Sequence, residues 1–267
     1  LRHVANAHSV FNLLNVLIWL PLLGFLTWAA RKIYPGVEEI DEENVKHIDK
    51  RMLKTPPIAV EQIRNETFRM FKISKEMLEI VMDMVNNFSK KKMEKLLKKE
   101  RIVNMLENAI SEYAYLLFDK PLTEDEKIII NFCLNSIHEI ERIGDHCLSM
   151  GESLEYRSKH DIDFTEPAEK ELVKMFKLVT EIHDNGLEFF TTHNEKLIPI
   201  IEKYEENIDD FRSTARKKHI KRMNKKMCKP GAGIIFVDLL NNLERLADHI
   251  HNVASLAAEG DVNEENY

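Results

Sequence analysis

The sequence predicts an all-α protein in which one transmembrane helix is followed by two tandem antiparallel three-helix bundles. Three observations predict it. Gly and Pro supply only 8 residues each of 267 while 31% are charged, a composition that favours long helices over sheet. Residues 9–30, SVFNLLNVLIWLPLLGFLTWAA, carry no charge. A seven-residue motif occurs twice, at matching places in two successive stretches of helical pattern.

The uncharged run would extend roughly 33 Å as a helix, close to the hydrocarbon thickness of a bilayer. Trp19 and Trp28 suit the interfaces, and Arg31 and Lys32 place the C-terminal side in the cytoplasm. A signal peptide would have a shorter apolar region and a small-residue cleavage site. Asn12, Asn15 and Pro21 are costly toward lipid, so the sharper expectation is a helix packed against neighbours upstream of Leu1. The stretch RHVANAHSVFNLLNVLIWLP resembles the final transmembrane region of the bacterial sodium/phosphate cotransporter family, with His8, Phe11 and Asn12 at the positions that match its Ala-His-x-x-Phe-Asn pattern. That family's Gln-Ser-Ser signature, which supplies its ion and phosphate site, is absent, so no transport-site residue carries over. Since the chain starts at Leu1, it reads as the C-terminal part of a longer one.

Residues 1–34 are therefore expected to be the last transmembrane segment and 35–57 an acidic linker closed by Pro56 and Pro57. Residues 58–158 form the first three-helix bundle, 159–259 the second, and 260–267 an acidic tail. The first helix runs from about Ala59 to Asn87 and the second from about Lys91 to Phe118. Pro121 breaks the chain, and Thr123-x-x-Glu126 is a capping box for the third helix, to about Tyr156. Thr165 caps the fourth, near Pro167. The fifth covers about Asn194 to Met227, the KPGAG segment (Lys229–Gly233) stops it, and the sixth runs from about Ile234 to Ala258. Long helices joined by short breaks bury their apolar stripes best as antiparallel bundles.

The repeat is Ile140-Glu141-Arg142-Ile143-Gly144-Asp145-His146 against Leu243-Glu244-Arg245-Leu246-Ala247-Asp248-His249. Upstream, Leu134 aligns with Val237, Ile137 with Leu240 and Asn135 with Asp238, so the chain is two three-helix units in tandem. Glu and Asp four apart share one helix face and repel. On a partly buried face such carboxylates must be paired or hold a cation, and oxygen ligands suit hard metals such as iron, manganese or magnesium. One Glu-x-x-x-Asp in a chain so rich in charge is no evidence, and it ordinarily marks a solvated face; two at repeat positions favour metal. The fifth helix adds Glu205 and Asp209, four apart and facing the sixth. Its counterpart in the first unit offers Glu107, but Ser111 stands where Asp209 does, so the second site is expected to be the more complete.

These features resemble the PhoU family of tandem three-helix bundles, over roughly Pro57 to Glu259. The resemblance implies bound metal clusters, iron foremost and manganese or magnesium as alternatives, on Glu141, Asp145, Glu205, Asp209, Glu244, Asp248 and, less fully, Glu107. Such domains occur as free phosphate-signalling regulators and fused behind sodium/phosphate cotransporters, and the upstream apolar run favours the fused form.

His146 and His249 sit about 100° around the helix from the motif Asp and read as bundle-surface polar groups, as do His138 and His251. No Glu-x-x-His occurs, which counts against a di-iron oxidase. The basic run Arg212, Arg216, Lys217, Lys218, Lys221, Arg222, Lys225 and Lys226 suits the end of the fifth helix, with anionic lipid headgroups as a second reading. The scattered Cys133, Cys147 and Cys228 read as reduced thiols. No phosphate loop or nucleophile elbow is present, so no catalysis is expected. A net charge of −7 argues against a nucleic-acid partner.

The expected function is sodium-dependent phosphate transport in the plasma (inner) membrane, regulated by a cytoplasmic metal-binding domain. Its partners would be inorganic phosphate and sodium through a transporter core upstream, with self-association left open. The alternative is a free signalling regulator that binds a sensor kinase or a transporter ATPase.

Overall fold

The computed structural model describes residues 11, 12, 15, 17, 19, 22 and 44–262, with side chains up to residue 256. The chain divides into two compact units, Leu1–Asn44 and Val45–Tyr267.

In the first unit Phe11, Asn12, Asn15, Leu17, Trp19 and Leu22 are helical; the rest of the expected span lies outside the described residues. Among the described residues no helix is long and apolar enough to cross a membrane, so the transmembrane helix of the expected fold is corrected. An uncharged run of spanning length is necessary for a membrane helix, yet it does not distinguish one from a helix packed on protein. Asn12 and Asn15 are among the residues that lipid tolerates least.

The second unit is built on six long helices: α1 (Pro56–Asn86), α2 (Lys90–Phe118), α3 (Glu124–Lys159), α4 (Glu166–Thr192), α5 (Ile198–Asn224) and α6 (Pro230–Val262). In α1, Pro56 and Pro57 sit in the first turn, where a missing N–H costs nothing. Ile63, Met70, Met77 and Met84 recur every seven residues and are all fully or almost fully buried, a stripe with the period of helix packing. Ser89 caps α2 through Lys92 N–H, and Thr123 and Glu126 form the expected capping box of α3. Thr165 stands at the start of α4, but its hydroxyl is buried without a partner. Pro167 two residues on has no N–H to offer it.

A short 3-10 turn, Glu195–Leu197, capped by Asn194, precedes α5, so the expected fifth helix begins at Ile198 instead of Asn194. The sixth begins at Pro230, not Ile234, and takes Gly231 and Gly233 into its first turns. Packing explains the second difference. A Cβ on Gly233 would lie 2.9 Å from both His219 Nε2 and Met223 Sδ of α5, so any larger residue there would force these side chains to shift. Gly233→Val is expected to destabilise the protein by about 1–3 kcal/mol through overpacking. Thermal unfolding checks it, with a melting temperature unchanged within a degree or so arguing against that close approach.

Helices α1, α2 and α3 pack together, as do α4, α5 and α6, and the most extensive contact of all joins α3 to α6. The two sets therefore share one core. Across it Phe190 of α4 stacks on Phe68 and lies tilted against Phe132, 5.9 and 5.3 Å between centroids. His146 of α3 and His249 of α6 stack at 5.4 Å, so these two line the junction between sets, not an outer surface.

The linker expected over 35–57 is in part a strap on the first set. Glu66 of α1, fully buried, accepts hydrogen bonds from the backbone N–H groups of Lys46 (3.0 Å) and His47 (2.5 Å) and pairs with Arg69 at 2.5 Å. The Tyr113 hydroxyl of α2 lies 2.9 Å from the Asp49 carbonyl and 2.8 Å from Gln62 Oε1. Lys50 reaches Glu112 at 2.7 Å.

Candidate metal centres

Each three-helix set carries its acidic residues on two neighbouring helices. In the first set α3 presents Glu141 and Asp145 and α2 presents Glu107. Burial, reinforced by the charges of Asp145 and Glu107, raises the proton affinity of Glu141 above the ordinary carboxylate range. Arg142 stands 3.7 Å from Glu141 and 3.5 Å from Asp145 on the solvent side. Glu107 takes a hydrogen bond or ion pair with His138 Nδ1 at 2.8 Å, so His138 is a neighbour of the cluster.

In the second set Glu205 and Asp209 lie on α5, and Glu244 and Asp248 on α6. Burial is the leading cause that raises Glu205, Glu244 and Asp248, followed by their mutual repulsion: Asp248 acts on Glu205 and Glu244, and Asp209 on Asp248. Arg212 bridges the helices, 2.8 Å from Asp209 and 3.2 Å from Glu244. It belongs to the cluster as its internal counter-cation and not to a solvated basic run, which the sequence reading missed. The signal was there in the spacing: Arg212 stands three residues beyond Asp209 and seven beyond Glu205, on their face of α5.

The two clusters are unequal in composition. The first has three carboxylates, with Arg142 at its solvent edge. The second has four, with Arg212 between its two helices. Aligning Glu107 with Glu205 puts Ser111 opposite Asp209 and Ala114 opposite Arg212, so an acid and a base are absent together from the first. The structure thus brings Glu205, Asp209, Glu244 and Asp248 into one electrostatic neighbourhood, and Glu107, Glu141 and Asp145 into another.

Oxygen-only donors that outnumber the cations beside them fit a hard cation chemically. Among the described residues, however, no set of three or more His, Cys, Asp or Glu side chains is gathered closely enough to hold one; Arg212 occupies that role across the second cluster. His146 and His249 do not join either cluster. Their Nδ1 atoms bind Asn242 (2.9 Å) and Glu139 (2.8 Å), and burial lowers the proton affinity of His146.

Other polar groups sit inside the core where sequence reading placed none. His183 of α4 is fully buried, its Nε2 3.1 Å from Ser74 Oγ and its ring 4.5 Å from that of Phe71. Arg222 of α5 forms a two-pronged pair with Glu171 of α4 at 2.6 and 3.2 Å. His183 and Glu66 both fall on the buried stripes of their helices, the one signal that could have found them.

A sequence model of the PhoU domain matches residues 67–154 and again 172–257, that is, α1–α3 and α4–α6. The chain is 26% identical over 163 residues to the phosphate-specific transport system accessory protein PhoU homolog of two Streptococcus pneumoniae strains, covering 60% of this chain and 73% of that protein. Among solved structures, PhoU from Pseudomonas aeruginosa superposes with a TM-score of 0.72 at 16% identity, over 77% of this chain and 98% of the other. The phosphate transport system regulatory protein PhoU from Streptococcus pneumoniae gives 0.70 at 19%, over 78% and 98%. These likenesses carry the fold. They also overturn the expected end of a sodium/phosphate cotransporter: the matches are to PhoU proteins. The sodium-symport function and the inner-membrane location are corrected with it, since no described helix can span a membrane.

Proposed function

Because the chain belongs to the PhoU domain family, we propose that it is a regulator of phosphate homeostasis that acts by binding a sensor kinase or a phosphate-transporter ATPase. The relatives, an accessory protein and a regulatory protein of phosphate transport, support this reading. The observation that carries its chemical part is the pair of carboxylate clusters, each lying between two helices with more carboxylates than cations beside them. Glu205, Asp209, Glu244 and Asp248 would hold iron or manganese in the second set, and Glu107, Glu141 and Asp145 in the first. When bound, a metal would supply positive charge to the carboxylates of each cluster. The chain's own part is to hold the carboxylates desolvated and aligned at helical spacing, and to offer Arg212 as the substitute cation. No catalytic step is part of the proposal.

Elemental analysis of the full chain beside Glu244→Ala/Asp248→Ala, after anaerobic metal-supplemented purification, tests the metal. Stoichiometric iron or manganese reduced by about half in the variant is expected; metal-free protein in both samples would make the carboxylates structural. Regulation is tested by a phosphate-starvation reporter in cells lacking the gene. Restored phosphate-dependent repression is expected, and a reporter indifferent to the protein would remove the regulatory reading.

A further inference from the structure

The duplicated motif ends in a histidine that the carboxylate clusters leave unused, and its two copies meet. His146 of α3 and His249 of α6 stand with ring centroids 5.4 Å apart and planes within 24° of parallel. Each reaches across to the residue seven positions before the other, His146 Nδ1 to Asn242 at 2.9 Å and His249 Nδ1 to Glu139 at 2.8 Å. These acceptors fix both tautomers. The Asn242 amide gives its Nδ2–H to the Asp238 carbonyl at 2.9 Å, so its Oδ1 is the atom that faces His146. Glu139 Oε2 is a carboxylate oxygen and also takes the Nδ2–H of Asn252 at 2.9 Å. In the neutral rings both Nδ1 atoms therefore carry the proton, and both Nε2 atoms keep their lone pairs. Neither Nε2 has a hydrogen-bond partner among the described residues, and neither is sealed from water.

An imidazole whose Nδ1–H is held by a carboxylate or amide oxygen while Nε2 stays open is arranged as a metal-bound histidine is. The spacing agrees, since two imidazoles bound through Nε2 to one tetrahedral ion have centroids about 5 Å apart. We propose that His146 and His249 form a two-histidine site for a borderline divalent cation such as zinc at the α3–α6 junction, with water completing the coordination. Nitrogen donors suit zinc, nickel or copper, whereas the oxygen-only clusters suit harder ions, so the two kinds of site select different metals. Of the charges nearby, Glu139 at His249 and Asp145 beside His146 favour a cation, and Arg245 opposes it. Structural zinc sites use four protein ligands, so a site with two holds its ion reversibly. One ligand comes from each three-helix set, and the bound ion therefore joins the sets.

The site depends neither on the regulatory reading nor on metal at the carboxylates. The full chain, stripped with a chelator, is titrated with zinc alone against a chromophoric competitor. One zinc is expected whose binding is weakened at least about tenfold in His146→Gln/His249→Gln and kept in Glu244→Ala/Asp248→Ala. X-ray absorption at the zinc edge, on the native chain loaded with one equivalent, reads the ligands without any variant, and scattering from two imidazoles is expected. Saturating zinc should also raise the melting temperature of the native chain more than that of the histidine variant, with circular dichroism checking that the variant stays folded. Equal zinc binding by the histidine variant, or a spectrum with oxygen ligands alone, would overturn the proposal. A native chain that binds no zinc would overturn it too and leave the pair as a polar contact of the junction. Carboxylates without iron or manganese beside an intact histidine zinc would sink the cluster reading alone; the reverse would sink this site alone.

Discussion

Lowering the pH from 7 to 4 is expected to remove about 3 kcal/mol of stability through His183 alone. Burial depresses its pKa from the ordinary 6.5 to about 3. The unfolded chain takes up a proton below pH 6.5 while the native protein refuses one until near pH 3, so the unfolded state binds more protons across that window. Stability due to this group is therefore complete above 6.5 and falls as pH drops, by about 1.4 kcal/mol per unit. The physical cause lies in its surroundings: Ser74 Oγ gives its proton to the Phe71 carbonyl at 2.8 Å, and His183 Nδ1 has no partner, so an imidazolium would be left with a buried N–H unbonded. Four carboxylates act oppositely. Glu141, Glu205, Glu244 and Asp248 have raised proton affinities, so the native state gains stability as pH falls through their folded values. The comparison must therefore be made against His183→Leu, by urea unfolding at a series of pH values. The wild type should lose stability relative to the variant between pH 6.5 and 4; parallel curves would mean that His183 is not held neutral.

Glu66→Ala is expected to cost about 3–5 kcal/mol, since it removes one partner of a buried ion pair and leaves two strap N–H groups without their acceptor. Arg69 keeps only 13% of its side-chain surface in water, so its charge is poorly solvated once Glu66 is gone. For a unit of this size the melting temperature should drop by roughly 6–20 °C. Hydrogen exchange separates the local from the global effect. The amides of Lys46 and His47 should exchange faster than those of α1 in the variant, because they lose their acceptor directly; a uniform change would mean that the strap does not depend on Glu66.

Much of the fold was legible because helices advertise themselves through periodic burial. Thr123 with Glu126 could be read as a helix start, and Leu134 and Ile137 against Val237 and Leu240 as repeated apolar positions, from local spacing alone. The duplicated Glu-Arg-x-x-Asp-His motif revealed the tandem sets and carried most of the cluster residues with it. What failed depended on partners that spacing cannot supply. Gly231 and Gly233 looked like a break because glycine lowers helix propensity, and only the proximity of His219 explains Gly233 inside α6. Arg212 was lost in a basic run because charge counts ignore which side of the helix a residue faces. The N-terminal run misled for a related reason: lack of charge says what a segment can tolerate, not what surrounds it. Glu66 and His183 stood on apolar stripes, and a polar residue there is a warning of a built interaction that hydrophobic patterning passes over.

The dominance of the α3–α6 seam has a consequence for synthesis. Partners across it lie 85 to 113 residues apart in the chain, from Ser153 with Asp238 to Asn252 with Glu139. At translation rates of about 5–20 residues per second, a nascent first set would wait roughly 5–20 s with its α3 flank unmet before α6 leaves the ribosome. Ile140, Ile143 and Cys147, buried in the finished protein, belong to the helix that waits. During that interval the half-made protein resembles one partner of an unpaired dimer. Its yield in the cell would then depend on what keeps that flank covered as much as on the stability of the finished fold.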